Sequence, residues 1–159
     1  MLNRLVRVVL PAVVVIAFAG VALAEKSQFG TAEEAKAMLA KAVAALKADK
    51  AKALESFKKG EGEFMDRDLY PFCFNAGDGK VTAVPPKRAA LLGVDVRTEK
   101  DKTGKAFGVE LYNAAKGKEG DITEVSYMFP RPNETEPVQK VSFVTRVGDQ
   151  GCGVGYYKK

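Results

Sequence analysis

The sequence predicts an α+β fold in which a long N-terminal helical region packs on a five-stranded antiparallel sheet, and three observations carry that prediction. Residues 31–59 are rich in Ala, Lys and Leu, with apolar side chains at helical spacing. From Leu69 onward, runs of aromatic and β-branched residues are punctuated by Gly, Asp and Pro. One further segment of helical spacing, 106–116, separates an opening hairpin from a closing three-stranded meander. Hairpin-joined strands with the helices set apart from them argue for antiparallel pairing.

Each element has its local reason. Thr31-Ala32-Glu33-Glu34 reads as a capping box, with Thr31 capping and Glu34 reaching back. Met38, Leu39, Val43 and Leu46 then form one apolar stripe, and a break or bend is expected near Asp49. Ala53, Leu54 and Phe57 repeat the pattern until Gly60 and Gly62 stop it. Residues 69–75 (LYPFCFN) read as a strand, 76–79 as a turn built on Asp78-Gly79, and 80–84 as the returning strand. Pro85-Pro86 ends it, and 87–102 is expected to be irregular, with a short helix around Ala89 to Leu92. The crossover helix 106–116 places Phe107 and Leu111 on one side. Strands follow at 121–129, 138–147 and 152–157, with Pro130-Arg131-Pro132 ending the first of them.

The first 24 residues stand apart from this domain. Arg4 and Arg7 precede a stretch, Val8 to Val21, that only Pro11 and Gly20 interrupt, and Ala22-Leu23-Ala24 supplies a small-x-small site. That is the layout of a secretory signal peptide. The apolar run is shorter than the roughly 20 residues a spanning helix needs. The expectation is a signal peptide over 1–24, with an uncleaved anchor as the alternative, and a single domain over 25–159 in the periplasm.

Composition excludes several functions. The net charge of +5 is interspersed along the chain, unlike the clustered Lys and Arg of a nucleic-acid surface. There is no histidine, which removes the common general base, zinc ligand and haem ligand together. The two cysteines, Cys73 and Cys152, form no Cys-x-x-Cys, and export would place them in an oxidising space. Asp78-Gly79 and Asp101-x-x-Gly104 are explained as turns and lack the repeated oxygens of a calcium loop. No glycine-rich loop opens a helix as a phosphate cradle would. The reading is of a protein that is not an enzyme, with no metal and no cofactor.

Several segments together carry a resemblance. Asp68-Leu69-Tyr70-Pro71-Phe72 with Gly77-Asp78-Gly79-Lys80-Val81 resembles the opening hairpin of a single Cache domain. The run from Gly93 through Asp101-Lys102-Thr103-Gly104-Lys105-Ala106-Phe107 resembles that family's loop and crossover helix. Tyr127-Met128-Phe129-Pro130-Arg131-Pro132, Lys140-Val141-Ser142-Phe143 and Gly153-Val154-Gly155-Tyr156-Tyr157-Lys158 are similar to its later strands. The resemblance spans nearly all of 32–158 in order. It implies an extracytoplasmic, PAS-like sensor: a long helix, a five-stranded antiparallel sheet, and a small ligand, often a carboxylate, held against one sheet face. The family's usual fusion to a transducing helix is not seen after the last strand, so a standalone binding protein is the expectation. Its candidate partners are a small-molecule ligand, a membrane receptor or histidine kinase, and a second copy through the N-terminal helices. A ligand-free interaction module docking on such a receptor is the alternative.

PAS-like strand order would set the first strand beside the last and bring Cys73 near Cys152. Directly opposed positions approach to about 4.5 Å between Cα atoms, close to the lower limit for a disulfide. Two buried thiols are the alternative. If the cysteines share a face, Phe72 and Phe74 point the other way, with Gly151, Gly153 and Gly155 leaving room for rings or a ligand. The candidate ligand groups are Lys140 and Ser142 on one strand, Tyr127 and Phe129 on its neighbour, Arg88 on the loop over the sheet, Arg131 after the third strand, and Phe72. A cation with tyrosine hydroxyls between aromatic walls suits a carboxylate. Alternation alone equally allows Lys140 on a solvent face and Tyr127 in plain core.

Overall fold

Thr31 starts the first helix through a complete capping box. In the computed structural model, which describes residues 27–158, the Thr31 hydroxyl accepts from the Glu34 backbone N–H at 3.2 Å and the Glu34 carboxylate accepts from the Thr31 N–H at 2.9 Å. The signal peptide expected over 1–24 lies outside the described residues. Helix α1 runs over Ala32–Ala48 and α2 over Lys50–Lys59. Asp49 divides them in an extended conformation, with its carboxylate accepting from the Lys52 N–H, so it ends one helix and caps the next. Gly60 closes α2 at φ 65°, the left-handed conformation that favours glycine.

Five strands follow among the described residues: β1 Pro71–Asn75, β2 Val81–Ala83, β3 Thr123–Pro130, β4 Pro137–Val147 and β5 Gln150–Tyr157. Between β2 and β3 lie two 3₁₀ turns, Pro86–Leu91 and Val96–Thr98, and helix α3, Phe107–Ala114. The sheet is antiparallel in the order β2-β1-β5-β4-β3, so the chain's first and last strands are neighbours within it. Two details depart from the sequence reading. The expected helix near Ala89 is a 3₁₀ turn that begins at Pro86, because a proline at its first positions has no N–H to lose. Strand β3 continues to Pro130, which pairs with Pro137 of β4. Both prolines sit at strand ends, where a missing donor is tolerated.

The sheet has two different faces. On one, α1 and α2 cover Cys73, Ala83, Phe143, Val147, Cys152 and Val154. The other carries Phe74, Val125, Tyr127 and Val144 beneath α3 and the 3₁₀ segment. A bulge opposite Cys73/Phe74 lets Val81 join the second face while Ala83 joins the first. Cys73 and Cys152 are register partners and form a disulfide with Cα atoms 4.1 Å apart. Along β5 the alternate residues are glycines for a reason of space. A Cβ on Gly151 would fall 2.5 Å from the Phe74 ring, and one on Gly153 would fall 2.6 Å from Phe72.

The loop before α3 is tied to β3 by one carboxylate. Asp101 accepts from the Thr103 hydroxyl at 2.6 Å, from the Thr103 and Lys105 N–H groups, and from the Met128 N–H at 3.0 Å. These bonds, that from the Thr103 hydroxyl foremost, hold the Asp101 carboxyl down at about 2. The folded chain therefore favours the charged form. The stability this contributes is complete above the unfolded value of 3.8 and is lost as pH falls through about 2.

Two outcomes are expected. The disulfide closes a loop across a sequence separation of 79, so the double variant Cys73→Ala/Cys152→Ala should lose about 4–5 kcal/mol on the chain-entropy scale. Denaturant midpoints for the variant and the oxidised protein check this, and coincident midpoints would contradict it. Asp101→Asn should lower the thermal midpoint at neutral pH, with the gap to the unsubstituted protein closing as the solution is acidified from pH 4 towards pH 2. A gap that widens on acidification would mean that the folded chain prefers the protonated carboxyl.

Candidate ligand-binding site

The second sheet face does not close completely against the segment above it. A cavity of about 50 Å³ remains, walled below by Phe72, Phe74 and Phe129 and above by Val84, Leu91, Val96, Phe107 and Leu111. At about 10–15 Å³ for each water-sized occupant, it has room for roughly four. Nearly all of its wall is apolar, and the polar groups that reach it come from Tyr70, Arg88, Glu99 and Lys140.

Lys140 projects from the middle of β4 and is 1% exposed. The alternative of a solvent-facing lysine is thereby corrected. Strand β4 is buried on both faces, so the polar residue at 140 points into the interior. Its ammonium donates to the Tyr70 hydroxyl at 2.9 Å and lies 4.3 Å from the Tyr70 ring centre, 4.9 Å from that of Tyr157 and 5.2 Å from that of Phe129. No carboxylate among the described residues pairs with it. Glycine at 155, on the neighbouring strand, makes this possible, since a Cβ there would stand 2.4 Å from the Lys140 side chain. Burial pushes the Tyr70 hydroxyl up, but the Lys140 charge and hydrogen bond outweigh it and hold the group below the ordinary phenol value.

Arg88 enters from the first 3₁₀ turn. One Nη donates to the Pro130 carbonyl at 2.7 Å, and the guanidinium lies over the Phe129 ring at 4.7 Å. Its Nε–H is buried and finds no acceptor among the described residues. Tyr157 closes the far side of the Lys140 niche, its hydroxyl donating to the same Pro130 carbonyl at 2.9 Å. Burial raises that hydroxyl well above the ordinary phenol value.

The seven residues to which the sequence points fall into three groups. Lys140, Arg88, Phe129 and Phe72 meet at the cavity. Tyr127 and Ser142 lie beneath it: the Tyr127 ring stacks on Phe107 with centres 4.1 Å apart, and its hydroxyl is joined to Ser142 at 2.9 Å. Burial drives the Tyr127 hydroxyl upward, so it stays protonated. Arg131 is turned away. Its guanidinium lies between the Phe29 and Tyr157 rings and faces Asp68 at 3.8 Å, where it closes the N-terminal segment onto the sheet. Tyr70, Tyr157 and Glu99 join the site without having stood out in the sequence. Strand alternation carries a signal for the first two, because Tyr70 shares the parity of Phe72 and Phe74, and Tyr157 that of Gly153 and Gly155. Glu99 sits at the end of the second 3₁₀ turn, where no periodicity points to it.

Comparison with known proteins fits this geometry. The family model described as Single Cache domain 2 matches residues 16–156. Among solved structures, a methyl-accepting chemotaxis protein from Vibrio parahaemolyticus superposes with a TM-score of 0.64 at 22% identity, covering 79% of this chain and 86% of that one. The periplasmic sensor domain of a chemotaxis protein gives 0.60 at 22% identity, with 80% and 90% covered. A Cache chemosensory domain, described for its recognition of carboxylic acids, gives 0.58 at 24%, with 80% and 88% covered. At these identities the likeness to the solved structures is one of fold. No curated protein matches the chain.

Desolvating an ammonium that has one hydroxyl acceptor, and no carboxylate beside it among the described residues, costs stability. Lys140→Met, which keeps most of the length of the side chain, should therefore have a ligand-free urea midpoint equal to or above that of the unsubstituted protein. A loss of more than about 2 kcal/mol would mean that the ring cage and Tyr70 already satisfy the charge.

Proposed function

The chain belongs to the single Cache domain 2 family, and on that premise we propose that it binds a small carboxylate outside the cytoplasm and releases it unchanged. The observation that carries this reading is the Lys140 ammonium, buried among three aromatic rings with no carboxylate of the described residues beside it. Burial of an unpaired charge costs several kcal/mol, and an anion delivered by the ligand offsets that cost.

The neighbouring groups suit the same ligand. The Tyr70 hydroxyl accepts from Lys140 and lies against the Tyr157 hydroxyl, and a carboxylate entering the niche can take over the Tyr70 O–H as an acceptor. The unpartnered Nε–H of Arg88 offers a further charge-assisted bond. The apolar walls strengthen both by keeping the surroundings at low dielectric. The cavity volume restricts the occupant to a short chain. A similar fold described for carboxylic acid recognition adds support from outside this chain.

The chain has no histidine, and the ionisable groups of the cavity wall, Tyr70, Arg88, Glu99 and Lys140, are accounted for by holding a ligand, which favours binding without turnover. The Cys73–Cys152 disulfide suits a periplasmic location. In this reading the occupied domain acts on a membrane receptor or histidine kinase, with dimerisation through the N-terminal helices as the means of presenting two copies. The small cavity favours the second reading, a ligand-free interaction module on the same scaffold.

Calorimetric titration with two- to four-carbon carboxylates separates the two. Saturable binding is expected, weakened at least about thirtyfold in Lys140→Met, as loss of about 2 kcal/mol or more from a buried charge pair requires. Binding of equal strength in that variant, or none across the panel, would leave the interaction module as the better account.

A further inference from the structure

Among the described residues Glu99 is the cavity's only acidic wall residue, and the Lys140 niche gives it nothing to do. Its carboxylate makes no hydrogen bond and no ion pair with any of them. Burial alone acts on it, raising the carboxyl above its ordinary value, and neither Lys140 nor Arg88 contributes. With no ion pair to either cation, the carboxylate stands apart from both within the one cavity wall, carried by the second 3₁₀ turn, whereas Arg88 comes from the first and Lys140 from β4.

The backbone holds Glu99 in place. Its N–H donates to the Val96 carbonyl as the second 3₁₀ turn ends, and its own carbonyl accepts from Gly108 at 3.1 Å. Gly108 permits that contact because a Cβ there would sit 1.7 Å from the Val96 carbonyl oxygen and 3.0 Å from the Glu99 Cβ. The turn and the first residues of α3 therefore fix the Glu99 backbone, and Glu99 and Phe107 both line the cavity. Apart from Tyr70, the rest of the wall that it shares with the cations is apolar, Phe72, Val81 and Leu111 included.

A site with donors from Lys140, Tyr70 and Arg88, an acceptor-only group unpaired with them and otherwise apolar walls matches a molecule that carries an acceptor and a donor of its own. We propose that Glu99 is a specificity-determining residue: among short carboxylates, it selects those bearing a hydrogen-bond donor, a hydroxyl or an ammonium, at the end remote from the carboxylate. This rests on the carboxylate reading above and narrows it. A plain alkyl carboxylate leaves the partly buried Glu99 carboxylate with no partner in the cavity, whereas a terminal donor pairs with it. Ionised carboxylates accept the stronger class of hydrogen bond, so the preference should be large enough to measure.

Three ligands of the same carbon backbone test this: propionate, 3-hydroxypropionate and β-alanine, titrated calorimetrically into the protein and into Glu99→Gln. In the unsubstituted protein, one or both donor-bearing ligands should bind roughly tenfold or more tightly than propionate. In Glu99→Gln that advantage should shrink, most for β-alanine. Equal affinities for all three, or a ratio that Glu99→Gln leaves unchanged, would overturn the role of Glu99 and leave the carboxylate site standing. Failure of all three to bind would overturn the carboxylate reading and this inference with it.

Discussion

The pairing of β1 with β5 is the constraint on which the rest of the molecule depends. These strands are the first and last of the sheet in sequence, yet they lie side by side within it. Their register decides the face on which every other residue lands, because side chains alternate and a slip of one residue exchanges the two faces. With Cys73 set against Cys152 on the helix side, the glycines of β5 fall on the other, where Phe72 and Phe74 need their space. The same phase turns Tyr157 towards Lys140 and directs the aromatic wall inward. The disulfide thus maintains an arrangement that matters chiefly on the opposite face of the sheet.

The two faces solve different physical problems. The helix-covered face is a conventional apolar layer, in which Leu39, Phe57, Phe143 and Val154 are removed from water. The other face buries a cation, several tyrosines and a partly buried carboxyl together with its phenylalanines. Such a mixture is unfavourable as a core unless something outside the chain completes it. The short 3₁₀ turns over this face leave fewer backbone constraints than a long helix would, and two of the polar wall residues, Arg88 and Glu99, come from that region.

Much of the fold was legible because it depends on local chemistry. The Thr31 capping box, the break at Asp49, the Asp78-Gly79 turn and the five strands each follow from residues close together in the chain. The pairing of β1 with β5 joins distant segments, and local patterns are silent about it; the family resemblance supplied it. The site was legible in part. Lys140 drew notice as a charge in an apolar strand, but alternation could not say which way it faced, because β4 is buried on both sides. Arg131 and Arg88 look alike in sequence, yet the first folds over Phe29 and the second over Phe129. Glu99 depends on how Gly108 packs against Val96, a contact between segments that no periodic pattern encodes.

The start of the described chain is anchored very near the cavity. The Asp68 carboxylate accepts the Gly30 N–H at 2.7 Å, the Arg67 guanidinium donates to the Ser27 and Phe29 carbonyls, and a Cβ on Gly30 would strike the Leu69 side chain. The next residue is Tyr70, whose hydroxyl holds the buried ammonium. Asp68, Leu69 and Tyr70 therefore join the segment before α1 to the interior niche, with Leu69 packed against Gly30. The fastening at Asp68 and the hydroxyl at Tyr70 stand two residues apart, so the entrance of the chain and the inner niche share one short stretch of backbone.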